Sequence, residues 1–201
     1  WQSNPAYQKI LCDSALPSIA KQLMQSETVR IYHDHMLVKE AATRQPTPWH
    51  QDQPYYNISG QQNVSFWIPV DPVPLESTLR FVAGSHQGTW YMPRTFRDNQ
   101  AKWFAEGTLQ ELPDIEGQPE QHQQLAWAMQ PGDIVAFHML TLHASAGVGA
   151  NQRRRVFSAR YMGDDTRHAI RPWRTSPPFT GLSEVLPDGA VMQHEWFPLV
   201  A

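Results

Sequence analysis

The stretch Trp49-His50-Gln51-Asp52-Gln53 governs how the rest of this chain is interpreted. A histidine and an aspartate stand two positions apart in a segment that has the character of extended backbone. Because successive side chains of a strand point to opposite faces, His50 and Asp52 are predicted to project together, with Gln51 on the other side. The segment therefore predicts a strand that presents an imidazole beside a carboxylate on one rigid edge.

An imidazole and a carboxylate at this spacing are two of the three ligands of a facial triad. Two histidines and one carboxylate of this kind leave open positions on Fe(II) for a co-substrate and oxygen. Taken alone, His-x-Asp is better explained as two polar residues of a loop. The metal-site interpretation therefore depends on whether the chain supplies a third ligand and groups that bind a co-substrate.

The composition bounds the class of protein. The chain has 201 residues, which suits one sizeable core, so we expect a single domain over residues 1–201. A net charge of −3 and a pI of about 6.3 do not mark it as a nucleic-acid-binding protein. Its 17 Pro and 11 Gly, set among aromatic and β-branched runs, favour a β-rich domain with long loops.

Cysteine usage and hydropathy bear on the compartment. The single Cys12 excludes an internal disulfide and suits a reducing environment. No apolar run approaches the roughly 20 residues that span a bilayer, and no signal peptide is recognisable. We therefore expect a cytoplasmic protein with no membrane or nucleic-acid partner. The first residue is Trp1 rather than Met, which is consistent with a missing native N-terminus.

The apolar patterns predict seven or eight short strands, with helix mainly at the front. Residues 5–25 have rough helical spacing that is interrupted near Pro17. The chain from Gly163 onward is expected to wrap the outside as an irregular tail. Short antiparallel strands must close or stack to hide their edges, so we expect a mainly β jelly-roll barrel with the N-terminal helices packed outside and a small-molecule site at its mouth. The clearest strands are predicted over residues 29–38, 63–70, 78–82, 134–138 and 156–162.

Two further histidines lie in the first predicted strand. Strict alternation places Val29, Ile31, His33, His35 and Leu37 on one face of it. A stripe with two histidines is compatible with a metal site, but histidines packed among core residues are more common. The core role is therefore preferred for His33.

The candidate for the third ligand is His143, which lies 93 positions after His50. That separation is far too long for a zinc finger, which needs close cysteine and histidine pairs. A barrel, however, can bring a distant strand against the His50 strand. His138 competes for the role and has the opposite strand parity to His143. Parity does not decide between the two.

A group that could hold a co-substrate is Arg154, which follows His143 by eleven positions, after a Gly/Asn turn. Arginine presents a planar fork that binds carboxylates with two hydrogen bonds. A dicarboxylate that chelates a metal at one end would need such a group at the other. Alternation puts Arg154 and Ser158 on one strand face and Arg153 and Arg155 on the other, where both are expected to be solvated. From spacing alone, a buried and a solvated Arg154 are equally compatible with the sequence.

At this point the chain resembles a known family. The ordered series is Thr47-Pro48-Trp49-His50-Gln51-Asp52-Gln53, Gly84-Ser85-His86, Pro131-Gly132-Asp133, His143-Ala144-Ser145 and Arg154. It is similar to the phytanoyl-CoA dioxygenase family of Fe(II)- and 2-oxoglutarate-dependent oxygenases. The sequences RRRVFSARYMGDD, residues 153–165, and SPPF, residues 176–179, look like bacterial members. The resemblance runs from about Val29 to the C-terminus and rests on the order and spacing of the series.

The resemblance implies a double-stranded β-helix that holds iron. His50, Asp52 and His143 would bind Fe(II), with His143 rather than His138 as the distal ligand. The enzyme would use 2-oxoglutarate and O2, release succinate and CO2, and hydroxylate a small-molecule substrate, with ascorbate as a supporting reductant. Related halogenases lack the carboxylate ligand and bind chloride there, so Asp52 favours hydroxylation.

The resemblance also implies how the co-substrate is bound. Arg154 would pair with the far carboxylate of 2-oxoglutarate, and Ser145 would add a hydroxyl. Trp67 matches a tryptophan that lines the co-substrate pocket, although its spacing from His50 is one residue shorter than in some relatives. His35 matches a position that is not always histidine. A co-substrate lysine that relatives carry well upstream has no match in this chain.

Two other readings remain open from the sequence. One is a non-catalytic β-barrel that binds a metal or a small molecule as a sensor. The other is a redox-inert, cupin-type metalloenzyme that uses zinc or manganese, in which Arg154 and Ser145 would have no role. The primary substrate is not indicated, because core packing explains the candidate pocket residues equally well. Those candidates are Gln53, Tyr55, Tyr56 and the aromatic residues of the loop over residues 87–104, among them Trp90, Trp103 and Phe104.

Overall fold

The computed structural model describes residues 1–93 and 107–201. Within these ranges the chain forms ten strands and three α-helices, so the mainly β prediction is confirmed. In chain order they are α1 Pro5–Asp13, α2 Leu16–Met24, β1 Arg30–Lys39, β2 Thr47–His50, β3 Ile58–Ser59, β4 Asn63–Pro69, β5 Leu79–Val82, β6 Gln124–Ala126, β7 Val135–Phe137, β8 His143–Ser145, β9 Arg154–Met162, β10 Arg167–His168 and α3 Leu182–Val185. None of the helices in the described ranges is both long and apolar enough to cross a membrane.

Most strands belong to two four-stranded antiparallel sheets. The first, which we call the β9 sheet, has the order β1-β9-β4-β7, and the second, the β8 sheet, has the order β2-β8-β5-β6. A separate two-stranded pair joins β10 to β3. No ladder of hydrogen bonds joins the β9 and β8 sheets in the described part of the chain, so the barrel is not closed. The prediction of seven or eight strands was too low, because two-residue strands such as β3 and β10 carry no readable alternation.

The two N-terminal helices pack on the outer face of the β9 sheet, as predicted. The Asn4 side chain caps α1 by accepting a hydrogen bond from the Ala6 backbone N–H at 3.0 Å. The predicted interruption near Pro17 is confirmed, because α1 ends at Asp13 and α2 begins at Leu16. Pro17 itself lies in the first turn of α2, where its missing N–H is not needed. The buried residues of the two helices, Leu11, Leu16 and Ala20, form one core cluster with side chains on the outer face of the sheet. Those side chains are Ile31, Phe66, Phe157 and Tyr161.

The two sheets face each other through an apolar cluster. Trp67 and Val156 of the β9 sheet meet Leu79 and Phe81 of the β8 sheet. Burying each side chain of this size contributes roughly 1.5–3 kcal/mol. Because Trp67 and Leu79 also line a cavity between the two sheets, the same packing that joins the sheets shapes the wall of this cavity.

A bulge in β1 changes which residues face the cavity. Ile31 pairs with Tyr161 and His33 pairs with Arg160, so Tyr32 is an extra residue between two consecutive pairs. A bulge of this kind reverses the alternation of side chains along the strand. The prediction that residues 29, 31, 33, 35 and 37 share one face was therefore wrong. Of these residues, Val29 and Ile31 pack against the helices, whereas His35 and Leu37, which follow the bulge, line the space between the sheets.

The C-terminal segment after Gly163 is irregular, as predicted, but it is more than an outer wrapping. Leu182, Met192 and Phe197 are buried in a cluster beneath it. The segment ends beside the start of β1, where the Val29 N–H donates to the carbonyl oxygen of Ala201 at 2.8 Å. The tail therefore completes part of the core.

Candidate functional site

The backbone turns sharply between the two residues of the His-x-Asp motif. Strand β2 ends at His50, and Asp52 has helical backbone angles of φ −76° and ψ −42° before a 3-10 turn. The prediction of a strand running through Asp52 was therefore wrong. The backbone N–H groups of Asp52 and Gln53 both donate to the carbonyl oxygen of Met139, at 2.8 and 3.0 Å. This anchor turns the chain so that Asp52 Oδ1 lies 3.7 Å from His50 Nε2.

The distant His143 completes the group. It pairs directly with His50 across strands β2 and β8. Its Nε2 atom lies 3.8 Å from Asp52 Oδ1, and the two imidazole rings are 4.2 Å apart between centroids. One potential ligand atom from each of the three residues lies within 4.8 Å of the others, and all three side chains are buried. The fold thus gathers the three predicted iron ligands at one point between the sheets.

His138, the competing histidine, is engaged elsewhere. Its Nδ1 accepts a hydrogen bond from the Leu140 backbone N–H at 3.1 Å, and its Nε2 lies 2.9 Å from the carbonyl oxygen of Gln61. Both ring nitrogens are therefore occupied by backbone groups. In the described part of the chain, His138 is not among the three residues whose potential ligand atoms lie together.

The hydrogen bonds of His50 and His143 fix which nitrogen carries the proton. Nδ1 of His50 lies 2.8 Å from the Pro48 carbonyl oxygen, and Nδ1 of His143 lies 2.9 Å from that of Thr141. A carbonyl oxygen can only accept, so Nδ1 must be the donor in both rings. The Nε2 lone pairs then face Asp52. Burial, with the neighbouring His143, lowers the pKa of His50 to about 3, and burial also lowers the pKa of His143, so both rings are neutral at pH 7.

Asp52 presents one oxygen to the histidines and the other to a buried cation. Its Oδ2 accepts hydrogen bonds from Arg160 Nη2 at 3.0 Å and from Arg160 Nε at 3.3 Å, with the Ser65 hydroxyl at 3.5 Å. Burial raises the pKa of Asp52, but the charge of Arg160 and its hydrogen bonds to the carboxylate outweigh that effect and hold the pKa well below its usual range. The carboxylate is therefore ionised at pH 7.

This donor set fits a divalent metal ion. Two neutral imidazole nitrogens and one carboxylate oxygen are the ligands of non-haem Fe(II) sites. Metal–ligand bonds of about 2.0–2.2 Å allow two donors on one ion to be up to about 4 Å apart. The separations of 3.7 and 3.8 Å from Asp52 Oδ1 to the two Nε2 atoms are within that limit, and the potential ligand atoms of all three residues lie within 4.8 Å of one another. Hydrogen bonds from Nδ1 to backbone oxygens are the usual way in which ligating histidines are oriented.

The far end of the cavity contains a buried cation. Arg154 donates from Nη2 to the Ser145 hydroxyl at 3.2 Å and from Nη1 to the Ser77 carbonyl oxygen, and its guanidinium lies 5.6 Å from the centre of the Trp67 ring. It is only 6% exposed, and burial lowers its pKa to about 10, so it stays charged at pH 7. No ion pair within residues 1–93 and 107–201 includes Arg154. Its neighbour Arg155 is on the opposite face, where it is not simply solvated but pairs with Asp71.

The metal-ligand candidates and the buried arginine line one cavity of about 340 Å³. His35, Trp67 and Ser145, the other predicted co-substrate residues, also line it. Such a volume is at the lower end of the range for small-molecule sites. The three predicted metal ligands and the four predicted co-substrate residues thus share one pocket.

Only some of the predicted substrate-pocket residues line the cavity. Tyr55 and Tyr56 line the cavity, whereas Gln53 is buried behind it and donates to the Gly60 carbonyl oxygen at 3.1 Å. Trp90 does not line the cavity but lies against Arg171, whose guanidinium carbon is 4.8 Å from the centre of the indole ring. Trp103 and Phe104 lie outside the described residues.

With this geometry in place, the chain can be compared with known proteins. The family model for phytanoyl-CoA dioxygenase (PhyH) matches residues 2–156. The chain belongs to the phytanoyl-CoA dioxygenase family. The resemblance inferred from the ordered motifs is confirmed. A comparison with curated proteins found no match.

Solved structures of non-haem, α-ketoglutarate-dependent enzymes share the fold of this family member. The carbocyclase SnoK from nogalamycin biosynthesis is 24% identical with a TM-score of 0.76, covering 100% of this chain and 74% of SnoK. The epimerase SnoN, in complex with Fe3+, α-ketoglutarate and nogalamycin RO, is 20% identical with a TM-score of 0.70, covering 100% of this chain and 75% of SnoN. EvdO2 from Micromonospora carbonacea var. aurantiaca, complexed with 2-oxoglutarate, is 21% identical with a TM-score of 0.61, covering 85% of this chain and 64% of EvdO2. The predicted double-stranded β-helix class is confirmed.

Two residues of this phytanoyl-CoA dioxygenase family member were missed by the sequence analysis. Arg160 donates a hydrogen bond to Asp52. Lys39 on β1 stands directly opposite Arg154 on β9 in the strand register. The Lys39 ammonium group donates to the Ser145 hydroxyl at 3.3 Å and to the Gln45 and Ala146 carbonyl oxygens at 3.0 and 2.9 Å. Burial, with the charge of Arg154, lowers the pKa of Lys39 to about 8. The predicted strand stopped one residue before Lys39, so its cross-strand partner was not considered.

Proposed function

We propose that the protein is an Fe(II)- and 2-oxoglutarate-dependent oxygenase that hydroxylates a small molecule. The observation that carries the proposal is the pairing of two features in one cavity. Two neutral imidazoles and an ionised carboxylate converge at one point, and a buried arginine with no carboxylate partner among the described residues lies further along the wall. Membership of the phytanoyl-CoA dioxygenase family supports it, as do neighbours solved with Fe3+ and α-ketoglutarate or with 2-oxoglutarate.

His50, Asp52 and His143 are the residues that would hold the iron. When bound there, Fe(II) with 2-oxoglutarate and O2 supplies the oxidising chemistry and releases succinate and CO2. The protein keeps both Nε2 atoms unprotonated through the Nδ1 hydrogen bonds to Pro48 and Thr141. The ligands are thereby oriented before any metal arrives.

Arg154 and Ser145 would bind the far carboxylate of 2-oxoglutarate. Ser145 lies two residues after His143 on strand β8, so the two positions are about 7 Å apart along the strand. A five-carbon diacid is of suitable length to reach from the metal ligand to the hydroxyl and the guanidinium beside it. Trp67 and His35 would form side walls of this channel. The Arg154 guanidinium supplies the planar fork that a carboxylate requires.

Aromatic packing would keep water away from the reacting atoms. The ring of Phe137 lies 4.9 Å from that of His143, and Phe81 stacks on the same imidazole at 6.0 Å. Tyr55 lies edge-on to His50 at 6.2 Å. Excluding water from such a site strengthens its electrostatic interactions and limits side reactions.

We assign hydroxylation rather than halogenation because Asp52 supplies the carboxylate that related halogenases lack. The neighbours SnoK and SnoN are named as a carbocyclase and an epimerase, so the product must be identified as well as the co-product. Substrate consumption with gain of one oxygen atom would distinguish hydroxylation from these outcomes.

The test combines a binding and a turnover measurement. Anaerobic protein with Fe(II) is titrated with 2-oxoglutarate by calorimetry, and aerobic samples are assayed for succinate. We expect iron-dependent 2-oxoglutarate binding and succinate release that Asp52→Ala abolishes, whereas His138→Ala retains both. Slow turnover without primary substrate makes the binding arm necessary. Metal binding without any 2-oxoglutarate binding would instead favour a non-catalytic or redox-inert barrel.

A further inference from the structure

Four buried side-chain atoms lack a hydrogen-bond partner within the described ranges, and they form one cluster. They are Nδ1 and Nε2 of His33, Oγ of Ser158 and Nη1 of Arg160. His33 pairs directly with Arg160 across β1 and β9, and Ser158 lies two residues before Arg160 on the same face of β9. Buried polar atoms in proteins nearly always have a partner, so a cluster of unsatisfied ones indicates an expected ligand or ordered water.

The hydrogen bonds of Arg160 leave one side of its guanidinium unused. Nε and Nη2 donate to Asp52, while Nη1 donates to no group in the described part of the chain. A guanidinium has donors but no acceptor, so only an acceptor can satisfy Nη1. Arg160 and Ser158 both line the cavity, and the Ser158 hydroxyl is a second unpartnered buried group two positions before Arg160.

Arg160 lies away from Arg154, whereas Ser158 pairs with His35 on β1 and with Trp67 on β4, the proposed side walls of the 2-oxoglutarate channel. Arg160 is six positions after Arg154 on β9, which corresponds to roughly 20 Å along a strand. Arg160 is instead next to Asp52 and 5.7 Å from the ring of Tyr56. A five-carbon diacid that extends from the metal ligands towards Arg154 leaves the Arg160 side of the cavity for a second molecule.

The charge of the cavity indicates what that molecule carries. Among the described lining residues, Lys39, Arg154 and Arg160 are cationic and Asp52 is anionic. His35, which also lines the cavity, is neutral at pH 7, because burial lowers its pKa to about 4. The charges of a divalent cation and a dianionic co-substrate cancel, so the excess positive charge of the cavity wall remains. An anionic ligand would balance it.

We propose that Arg160 Nη1 and Ser158 Oγ, backed by His33, form a subsite for the carboxylate of an anionic primary substrate. The inference rests on the proposed function, since a primary substrate presupposes the bound co-substrate. His33 behind the subsite offers one donor and one acceptor, because burial holds its pKa well below 6.5 and keeps the ring neutral. It can therefore bind the Ser158 hydroxyl or a water molecule that bridges to the ligand.

The experiment uses protein loaded with Mn(II) and 2-oxoglutarate under argon, so no turnover is needed. Two matched pairs of probes are titrated by calorimetry: benzoate with benzamide, and phenylacetate with phenylacetamide. In wild-type protein we expect at least one acid to bind tenfold or more tightly than its amide. Ser158→Asp places a resident carboxylate beside Arg160 Nη1, so this preference should disappear. Ser176→Asp, which adds the same charge elsewhere on the cavity wall, should retain most of it.

Ser158→Ala keeps the test informative if Ser158→Asp does not fold, as judged by circular dichroism. It removes one donor and should weaken the acid three- to tenfold without changing amide binding. The inference is overturned if neither acid binds more tightly than its amide, or if the preference survives in both Ser158 variants.

The same titrations separate this inference from the proposed function. If Ser158→Asp weakens 2-oxoglutarate itself more than tenfold without a probe, Nη1 serves the metal-proximal carboxylate of the co-substrate, and the assignment to a primary substrate is overturned. If wild-type protein binds Mn(II) but not 2-oxoglutarate, that result contradicts the proposed function itself. Normal 2-oxoglutarate binding with no acid preference would overturn only the subsite.

Discussion

Arg160 donates two hydrogen bonds to one oxygen of Asp52 and leaves the other oxygen facing His50 and His143. The bonds to Oδ2 are 3.0 Å from Nη2 and 3.3 Å from Nε, whereas Oδ1 lies 3.7 and 3.8 Å from the two histidine Nε2 atoms. A carboxylate held in this way can offer one oxygen to a metal but not both. With respect to the metal site, Arg160 is therefore a positioning residue, because it acts on that site only through Asp52.

The first prediction is that Arg160→Met destabilises the metal-free protein by about 3–5 kcal/mol at pH 7, because a buried carboxylate loses its partner. In wild-type protein the lowered pKa of Asp52 gives stability that is present above its unfolded value of about 3.9 and lost as the pH falls. In the variant, burial without Arg160 raises the pKa of Asp52, so acid should stabilise it relative to wild type. Urea unfolding at pH 7 and pH 4 measures both effects.

Arg155→Met is the matched control for Arg160→Met. Arg155 is on the outer face of the same strand and forms a partly exposed ion pair with Asp71. Its loss should change the unfolding free energy little. The effect of Arg155→Met should not depend on pH in the way that is expected for Arg160→Met. If both variants lost the same unfolding free energy, the loss in Arg160→Met could not be attributed to the buried Arg160–Asp52 pair.

The second prediction concerns the ligand set. His143→Ala and Asp52→Ala should each reduce Mn(II) affinity at least a hundredfold, because each removes one of three buried donors. His138→Ala should leave Mn(II) affinity within threefold of wild type, because its ring nitrogens are bound to backbone groups. Calorimetric titration of metal-free protein measures these affinities. A larger loss for His138→Ala than for His143→Ala would exchange their roles.

Side-chain alternation predicted one face of β9 correctly and one face of β1 incorrectly. Strand β9 is regular, so Arg154 and Ser158 both line the cavity and Arg155 points outward, as predicted. Strand β1 contains the bulge at Tyr32, which exchanges the faces of the residues that follow it. A bulge leaves no trace in the apolar pattern, so the cavity-lining positions of His35 and Leu37, opposite to the face of Ile31, could not be predicted from sequence.

The candidate site was predicted by residue type and order more than by local geometry. The convergence of His50 and Asp52 depends on a turn anchored to Met139, not on strand alternation. Arg160 and Lys39 reach the site through cross-strand register, which local sequence patterns do not encode. The ordered motifs identified the family, while long-range pairing determined which further residues serve the site.

The third prediction is that Arg154→Ala raises the 2-oxoglutarate dissociation constant about 10–100-fold, the effect of losing hydrogen bonds worth about 1.5–3 kcal/mol to a charged group. Mn(II) affinity should stay within threefold of wild type, since Arg154 contacts none of the three ligand candidates. Arg155→Ala is the matched control and should change neither constant. If Arg155→Ala produced the loss and Arg154→Ala did not, the co-substrate would have to lie on the other face of β9.

The last prediction concerns Lys39, whose pKa is lowered to about 8 by burial and by the charge of Arg154. A protonated Lys39 strengthens the positive potential at Ser145, where the far carboxylate of 2-oxoglutarate is expected. As the pH rises through about 8 the ammonium group loses its proton in the ligand-free protein, so 2-oxoglutarate affinity should fall between pH 7 and pH 9. Lys39→Met should bind more weakly at pH 7 and lose this pH dependence, whereas Lys21→Met on α2 should behave like wild type. Calorimetry with Mn(II)-loaded protein across that range measures the slope, and an unchanged slope in Lys39→Met would assign the pH dependence to another group.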